Sequence, residues 1–185
     1  MSQHQLPTAR TRGLRRGVGS LALALALATV GTLALSVAPA HAAVVEGTEQ
    51  GDVLDGTGAD DVIKGLGGGD IINARNGDDT VLGGNGSDRI RGGRGADAVY
   101  AGNGSDIVKG GPGADVLHPQ KGTDVVKAGP GDDAIYLQND KRLDQVFCGK
   151  GTDTLYYPEG EWDFDDEFSD CEVYVAVADI TDYQG

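Results

Sequence analysis

An aliphatic residue returns at every ninth position through the middle of the chain: Leu54, Ile63, Ile72, Val81, Ile90, Val99, Val108, Leu117, Val126 and Ile135. Each is the centre of a three-residue group, and six residues rich in Gly and Asp separate one group from the next. The three-residue groups predict short strands, and the glycine-rich sixes predict tight turns that use positive φ. Neighbours in a strand alternate faces, so the aliphatic points inward and its two flanking residues point outward. Two repeats make one coil of eighteen residues, with turns alternating between two edges. Stacked about 4.8 Å apart, such coils bury a thin column of Leu, Ile and Val between two parallel sheets.

Two residues before each aliphatic stands an aspartate: Asp52, Asp61, Asp70, Asp79, Asp88, Asp97, Asp106, Asp115, Asp124 and Asp133. On the coil these fall into two columns, with Asp70, Asp88 and Asp106 on one edge and Asp79, Asp97 and Asp115 on the other. Carboxylates stacked this way repel, and regular repetition of that cost predicts a cation that offsets it. Facing turns offer carboxylates and carbonyls, an all-oxygen set that favours Ca²⁺ over Zn²⁺ or copper, whereas Mg²⁺ demands a smaller octahedral shell. A competing reading makes each Asp a turn-closing residue only. Turn closure also tolerates Asn and Ser, yet every copy is Asp.

The copies vary in quality. The glycine two places before the Asp is replaced by Gln50 and Ala59 in the first two, which predicts weak binding or a capping role for the first coil. Pro119-Gln120-Lys121 is expected to distort the turn before Asp124, and Ala74-Arg75 does something milder before Asp79. The interval from Asp133 to Asp144 is eleven residues; spacing then returns to nine at Asp153, with Val146 and Leu155 in the aliphatic place. These are two degenerate repeats behind a two-residue insertion, and Asp144 and Asp153 join the candidate ligands.

The best copies, such as Gly83-Gly84-Asn85-Gly86-Ser87-Asp88-Arg89-Ile90-Arg91 and Gly110-Gly111-Pro112-Gly113-Ala114-Asp115-Val116-Leu117-His118, read Gly-Gly-x-Gly-x-Asp-x-aliphatic-x. This pattern resembles the calcium-binding nonapeptide of RTX (haemolysin-type) proteins over ten uninterrupted repeats. The resemblance implies an all-β parallel β-roll, a β-solenoid, in which the Asp of each repeat and turn carbonyls hold several Ca²⁺ ions between successive coils. Affinity per site is expected on the order of 10⁻⁴–10⁻³ M, as in extracellular modules.

Charge and composition refine this picture. The chain has 185 residues and a formal charge of −14. Arg10, Arg12, Arg15 and Arg16 precede a Leu/Ala run from Leu21 to Leu35, and Ala40-His41-Ala42 supplies small residues for cleavage after Ala42. Residues 1–42 thus read as a signal peptide, and the mature chain as secreted and without a membrane span. Removing that leader leaves eleven basic and 29 acidic side chains, a net charge of −18. So acidic a chain is a poor ligand for nucleic acid or anionic lipid.

Residues 43–136 form the predicted roll, and 137–185 the degenerate repeats and a C-terminal cap. Aromatics concentrate there, including Tyr156, Tyr157, Trp162, Phe164, Phe168 and Tyr174. The cap shields the apolar column and strand edges that a solenoid end exposes. Cys148 and Cys171 are the only cysteines, and export makes a disulfide between them the expected state. The alternative, free thiols or a soft-metal site, has no histidine nearby. Asp163, Asp165, Asp166, Glu167 and Asp170 lack EF-hand spacing and read as a solvated acidic face.

No catalytic constellation emerges: His118 is the single histidine after residue 42, and no Ser/His/Asp set or phosphate loop is present. The outward positions carry two further ladders, Tyr100–His118–Tyr136 on one face and Arg91–Lys109–Lys127 on the other. Rings stack on sugars and cations meet anionic polysaccharide; equally, these are strand-favouring residues whose cations offset the acidic edges. The sequence therefore predicts a monomeric calcium-binding β-roll that folds with its ions. An adhesion or matrix module for extracellular polysaccharide is the alternative, and a calcium-dependent polysaccharide-acting enzyme a distant third.

Overall fold

A computed structural model describes residues 41–159 and 166–177. The described residues form strands and turns, without a helix. The expected leader, apart from His41 and Ala42, lies outside them, as do Trp162, Asp163, Phe164 and Asp165.

Fifteen strands alternate between two parallel sheets. The odd-numbered sheet has eight: β1 (Val44–Glu46), β3 (Val62–Gly67), β5 (Thr80–Asn85), β7 (Ala98–Asn103), β9 (Val116–Lys121), β11 (Ala134–Leu137), β13 (Thr154–Pro158) and β15 (Val173–Val177). The even-numbered sheet has seven: β2 (Val53–Asp55), β4 (Ile71–Asn76), β6 (Arg89–Arg94), β8 (Ile107–Lys109), β10 (Val125–Pro130), β12 (Gln145–Lys150) and β14 (Glu167–Ser169). Each strand pairs in parallel with the strand two ahead, so Ile72, Ile90 and Val108 sit side by side, as do Val81, Val99 and Leu117. This is the β-solenoid that the eighteen-residue coil predicts.

The core is the predicted aliphatic column: Ile63, Val81, Val99, Val108, Leu117, Val126, Ile135, Val146 and Leu155 are wholly inaccessible. Ala74, Ala101, Ala128 and Cys148, at the first turn position of their repeats, point into the same column. Most strands are longer than the expected three residues. Between β5 and β7 the pairing runs on into the turn, Gly84 with Gly102 and Asn85 with Asn103, because the stacked turns also hydrogen-bond from coil to coil. That close stacking explains the fourth-position glycine. Gly113 has φ 150°, and a Cβ there would lie on the carbonyl oxygen of Gly95 one coil back.

The irregular segments are absorbed locally. Gln120 keeps the left-handed backbone its turn needs (φ 70°) at an energetic cost of roughly 1–2 kcal/mol. The expected distortion falls on the neighbouring strand, where register slips between Ile135 and Leu137 as β11 pairs with β9. The two-residue insertion bulges out at residues 139–142, where Asp140 Oδ2 accepts the Gly122 amide at 2.7 Å. Parallel pairing then continues through β12 with β14 and β13 with β15. Cys148 and Cys171 form the expected disulfide, Cα atoms 5.1 Å apart, which ties β12 to the segment between β14 and β15.

Candidate metal centre

The aspartate ladder forms two buried columns. In one, the amides of Asp52, Asp70, Asp88, Asp106 and Asp124 donate to Oδ1 of the next Asp in the column, ending at Asp144. In the other, Asp61, Asp79, Asp97, Asp115 and Asp133 do the same, ending at Asp153. These bonds are 2.7–3.0 Å long and leap 18 residues, or 20 where the insertion intervenes. All of these aspartates except Asp52 are at most 2% exposed. The two-column assignment, including the place of Asp144 and Asp153 behind the insertion, therefore matches the geometry.

The columns run further than the regular spacing. The Asp144 amide donates to Asp166 Oδ1 and the Asp153 amide to Glu172, at separations of 22 and 19 residues. Asp166 is thus a ladder member and not part of a solvated face, and Glu172 is an unanticipated one. Both keep the local signature, an acid two residues before a large apolar side chain (Phe168 and Tyr174).

The second carboxylate oxygen divides the ladder. In Asp70, Asp79, Asp88, Asp97, Asp106, Asp115, Asp124, Asp133 and Asp153, Oδ2 is buried and has no hydrogen-bond partner. A buried anionic oxygen without a partner is costly. Burial, reinforced by neighbouring aspartates, accordingly pushes Asp97, Asp106 and Asp133 up to about 6, Asp115 to about 7 and Asp124 to about 8. Asp79, Asp88 and Asp153 shift in the same direction.

The first coil differs. Asp52 Oδ2 accepts the Thr48 amide at 2.7 Å and its hydroxyl at 2.9 Å. Asp61 Oδ2 accepts the Thr57 amide at 2.6 Å, the Thr57 hydroxyl lies 3.0–3.1 Å from both oxygens, and Oδ1 accepts the Ala43 amide. Burial alone would raise Asp61, but these donors and the Arg75 charge outweigh it and hold the group low. The cause is one peptide orientation. Thr48 and Thr57 stand at the second turn position without a left-handed backbone. At the same position Gly93 and Gly111, with φ of 131° and 130°, give their amides to carbonyls of the next coil.

The donor set suits a hard cation. A Cβ placed on Gly83 would meet Asp88 Oδ2 at 2.7 Å and the carbonyl oxygen of Ala101, and one on Gly110 would meet Asp115 Oδ2 and the Ala128 carbonyl. Orphaned carboxylate oxygens and carbonyls of the following coil thus approach each other beside the first turn position, which is glycine in these two copies and Ala74, Ala101 or Ala128 in others. No cluster of three metal-binding side chains occurs among the described residues. Each interval supplies two carboxylates, so carbonyls and water must complete the six to eight oxygens of Ca²⁺.

The outward ladders also form. Tyr100, His118, Tyr136 and Tyr156 stack in sequence, centroids 4.3–4.6 Å apart and ring planes nearly parallel. The position of His118 is outward, yet the ring is only 4% exposed because Tyr100 and Tyr136 cover its faces, and burial lowers it to about 4. Sugars therefore cannot stack on the inner rings of this ladder.

The family model for the RTX calcium-binding nonapeptide repeat (4 copies) matches residues 46–81, 82–117 and 120–140. No curated protein matches the chain.

Proposed function

Because the chain belongs to the RTX calcium-binding nonapeptide repeat family, we propose that it is a secreted calcium-binding protein whose roll folds as Ca²⁺ enters between stacked turns. The observation that carries this reading is the set of nine buried Oδ2 atoms without a partner. A fold that repeats the same unmet acceptor on both edges requires a partner supplied from outside. A divalent cation offsets the repulsion within each column and satisfies those oxygens together with turn carbonyls.

The residues proposed to hold ions are the consecutive pairs of one column from Asp70 to Asp124 and of the other from Asp79 to Asp153. Asp144 continues the first column. Asp52 and Asp61, satisfied by Thr48 and Thr57, contribute little to binding and close the N-terminal end of the ladder.

Calcium supplies charge neutralisation; the chain supplies the geometry. The Asp amides fix Oδ1 of each carboxylate, Oδ2 is left for the ion, and the aliphatic column buries once the turns can approach. Binding and folding are then one equilibrium. A secreted chain meets calcium at levels that suit weak sites, and the Cys148–Cys171 disulfide fits an oxidising compartment. Circular dichroism with chelator and then with added calcium tests the coupling. The expected result is an unordered chain that gains strand signal cooperatively, and an unchanged strand spectrum in chelator would overturn it.

A further inference from the structure

We infer that the outer face of the even-numbered sheet is a docking surface for an acidic polysaccharide, a linear polymer carrying carboxylate or sulfate groups on successive sugars. Strands β4, β6, β8 and β10 carry six cationic side chains (Arg75, Arg89, Arg91, Arg94, Lys109 and Lys127) and no acid. Those six are more than half of the eleven basic residues that follow residue 42, in a stretch with 29 acids. Arg91, Lys109 and Lys127 are direct register partners on adjacent strands, so like charges repeat once per coil along one line.

If these cations served to neutralise the acidic edges, they would be paired with them; Arg75 does act so on Asp61, but most of the others pair with no acid among the described residues. Arg75 meets Asp55 at 3.4 Å, and Lys127 lies 5.4 Å over the Phe147 ring. Arg89, Arg91, Arg94 and Lys109 make no ion pair among the described residues, and all four are exposed. An in-register row of unpaired cations is repulsive, as the aspartate columns are, and calls for a ligand of the opposite sign. Repetition at the coil spacing calls for a ligand that repeats its charge as well.

The form of the face selects among polyanions. Two adjoining open depressions run along it, one bounded by Ile71, Arg89, Ile107 and Lys109 and the other by Arg75, Arg91, Arg94 and Lys109. Ile71 and Ile107 are register partners of Arg89 and flank it on either side, so aliphatic patches lie beside the cationic row and suit the C–H faces of sugar rings. Single-stranded nucleic acid wants stacking aromatics, and β4, β6, β8 and β10 carry none. Duplex DNA packs one charge into about every 1.7 Å, far denser than a row of one cation per coil spaced about 4.8 Å.

This inference goes beyond calcium binding and relies on it only for a formed roll. The test uses the full chain, calcium-loaded, on immobilised polygalacturonate, with dextran, duplex DNA and phosphatidylserine vesicles in parallel. Binding to polygalacturonate is expected to exceed binding to the other three and to vanish near 1 M salt, where the screening length is about 3 Å. The triple variant Arg91→Gln, Lys109→Gln, Lys127→Gln should bind about tenfold or more weakly, and Lys109→Gln alone should lose about threefold should the triple variant not fold. Circular dichroism on the same samples separates loss of the roll from loss of the ligand. No binding by the parent chain, undiminished binding by folded variants (calcium bridging by the acidic edges), or equal or tighter binding to dextran, DNA or vesicles would each overturn the assignment.

Discussion

The first coil and the central coils carry the same aspartate at the same place and treat it oppositely. In the first, Thr48 and Thr57 turn their amides and hydroxyls onto the carboxylate and Asp61 is held low. In the centre, the second-position amide goes to the next coil, Oδ2 is left without a donor, and Asp97 to Asp133 are pushed up to about 6–8. The difference shows that the aspartate alone does not leave an acceptor unmet. A left-handed residue at the second position, glycine in most copies but Leu66, Arg75 and Gln120 ahead of Asp70, Asp79 and Asp124, creates the unmet acceptor by directing the amide away. A threonine with ordinary backbone removes it, at the end of the stack where no earlier coil supplies a facing carboxylate.

The largest test of that contrast compares Asp115→Asn with Asp61→Asn. In calcium, Asp115→Asn removes a charged ligand from a buried cluster and should cost about 3–5 kcal/mol, with the calcium midpoint raised about tenfold or more. In chelator the sign reverses, because the substitution removes a buried charge that nothing offsets. Asp61→Asn loses hydrogen bonds to a charged group in both conditions, about 1–3 kcal/mol each way, and should leave the calcium midpoint nearly unmoved. Equal midpoint shifts for the two variants would erase the distinction between the coils.

Acid separates the regions next. Asp115 has an ordinary value of 3.8 and reaches about 7 when folded, and Asp124 about 8. Between 3.8 and those values the folded chain holds protons that the unfolded chain has released, so the calcium-free roll loses stability as pH rises through that window. Lowering pH from 8 toward 5 should therefore stabilise the calcium-free chain, each shifted unit being worth about 1.4 kcal/mol before relaxation. Asp61, held low, has the opposite slope: its contribution is present above 3.8 and is lost as pH falls through its folded value. With calcium present the trend inverts, because protons compete for the same oxygens and raise the calcium midpoint. Strand signal of the parent and of Asp115→Asn, followed by circular dichroism in chelator from pH 8 down to 5, should rise as pH falls, with a shallower slope in the variant.

Much of this was legible in the sequence because a fixed count of eighteen converts position into coil. Any residue then finds its stacked neighbour by arithmetic, which is how the aspartate columns, the ring ladder and the cationic ladder could be read before folding. The same rule fails where the period breaks. Asp166 and Glu172 occupy ladder places at intervals of 22 and 19, and only the acid two residues before Phe168 or Tyr174 marks them. The disulfide needed no geometry, since Cys148 and Cys171 had no competitors. The role of Thr48 and Thr57 could not be read: the sequence shows a hydroxyl where glycine usually stands, but the orientation of a peptide is decided by φ. The burial of His118 was hidden for a similar reason. An outward position is covered when its neighbours are rings, and the strand pattern counts faces without their contents.

The smallest test isolates the threonine. Thr57→Val keeps the shape and the amide bond to Asp61 but removes the hydroxyl that lies 3.0 and 3.1 Å from its two oxygens. The expected loss is about 1.5–3 kcal/mol, typical of a hydrogen bond to a charged group. Because no ion is assigned to this carboxylate, the loss should be the same in saturating calcium as in weak acid without calcium, provided the roll is formed in both. The same exchange at Thr48 should cost less, since Asp52 lies at the exposed end of its column and water can replace the hydroxyl. If either exchange instead raised the number of calcium ions bound, the hydroxyl would be excluding an ion, and the first coil would be a latent site of the central kind.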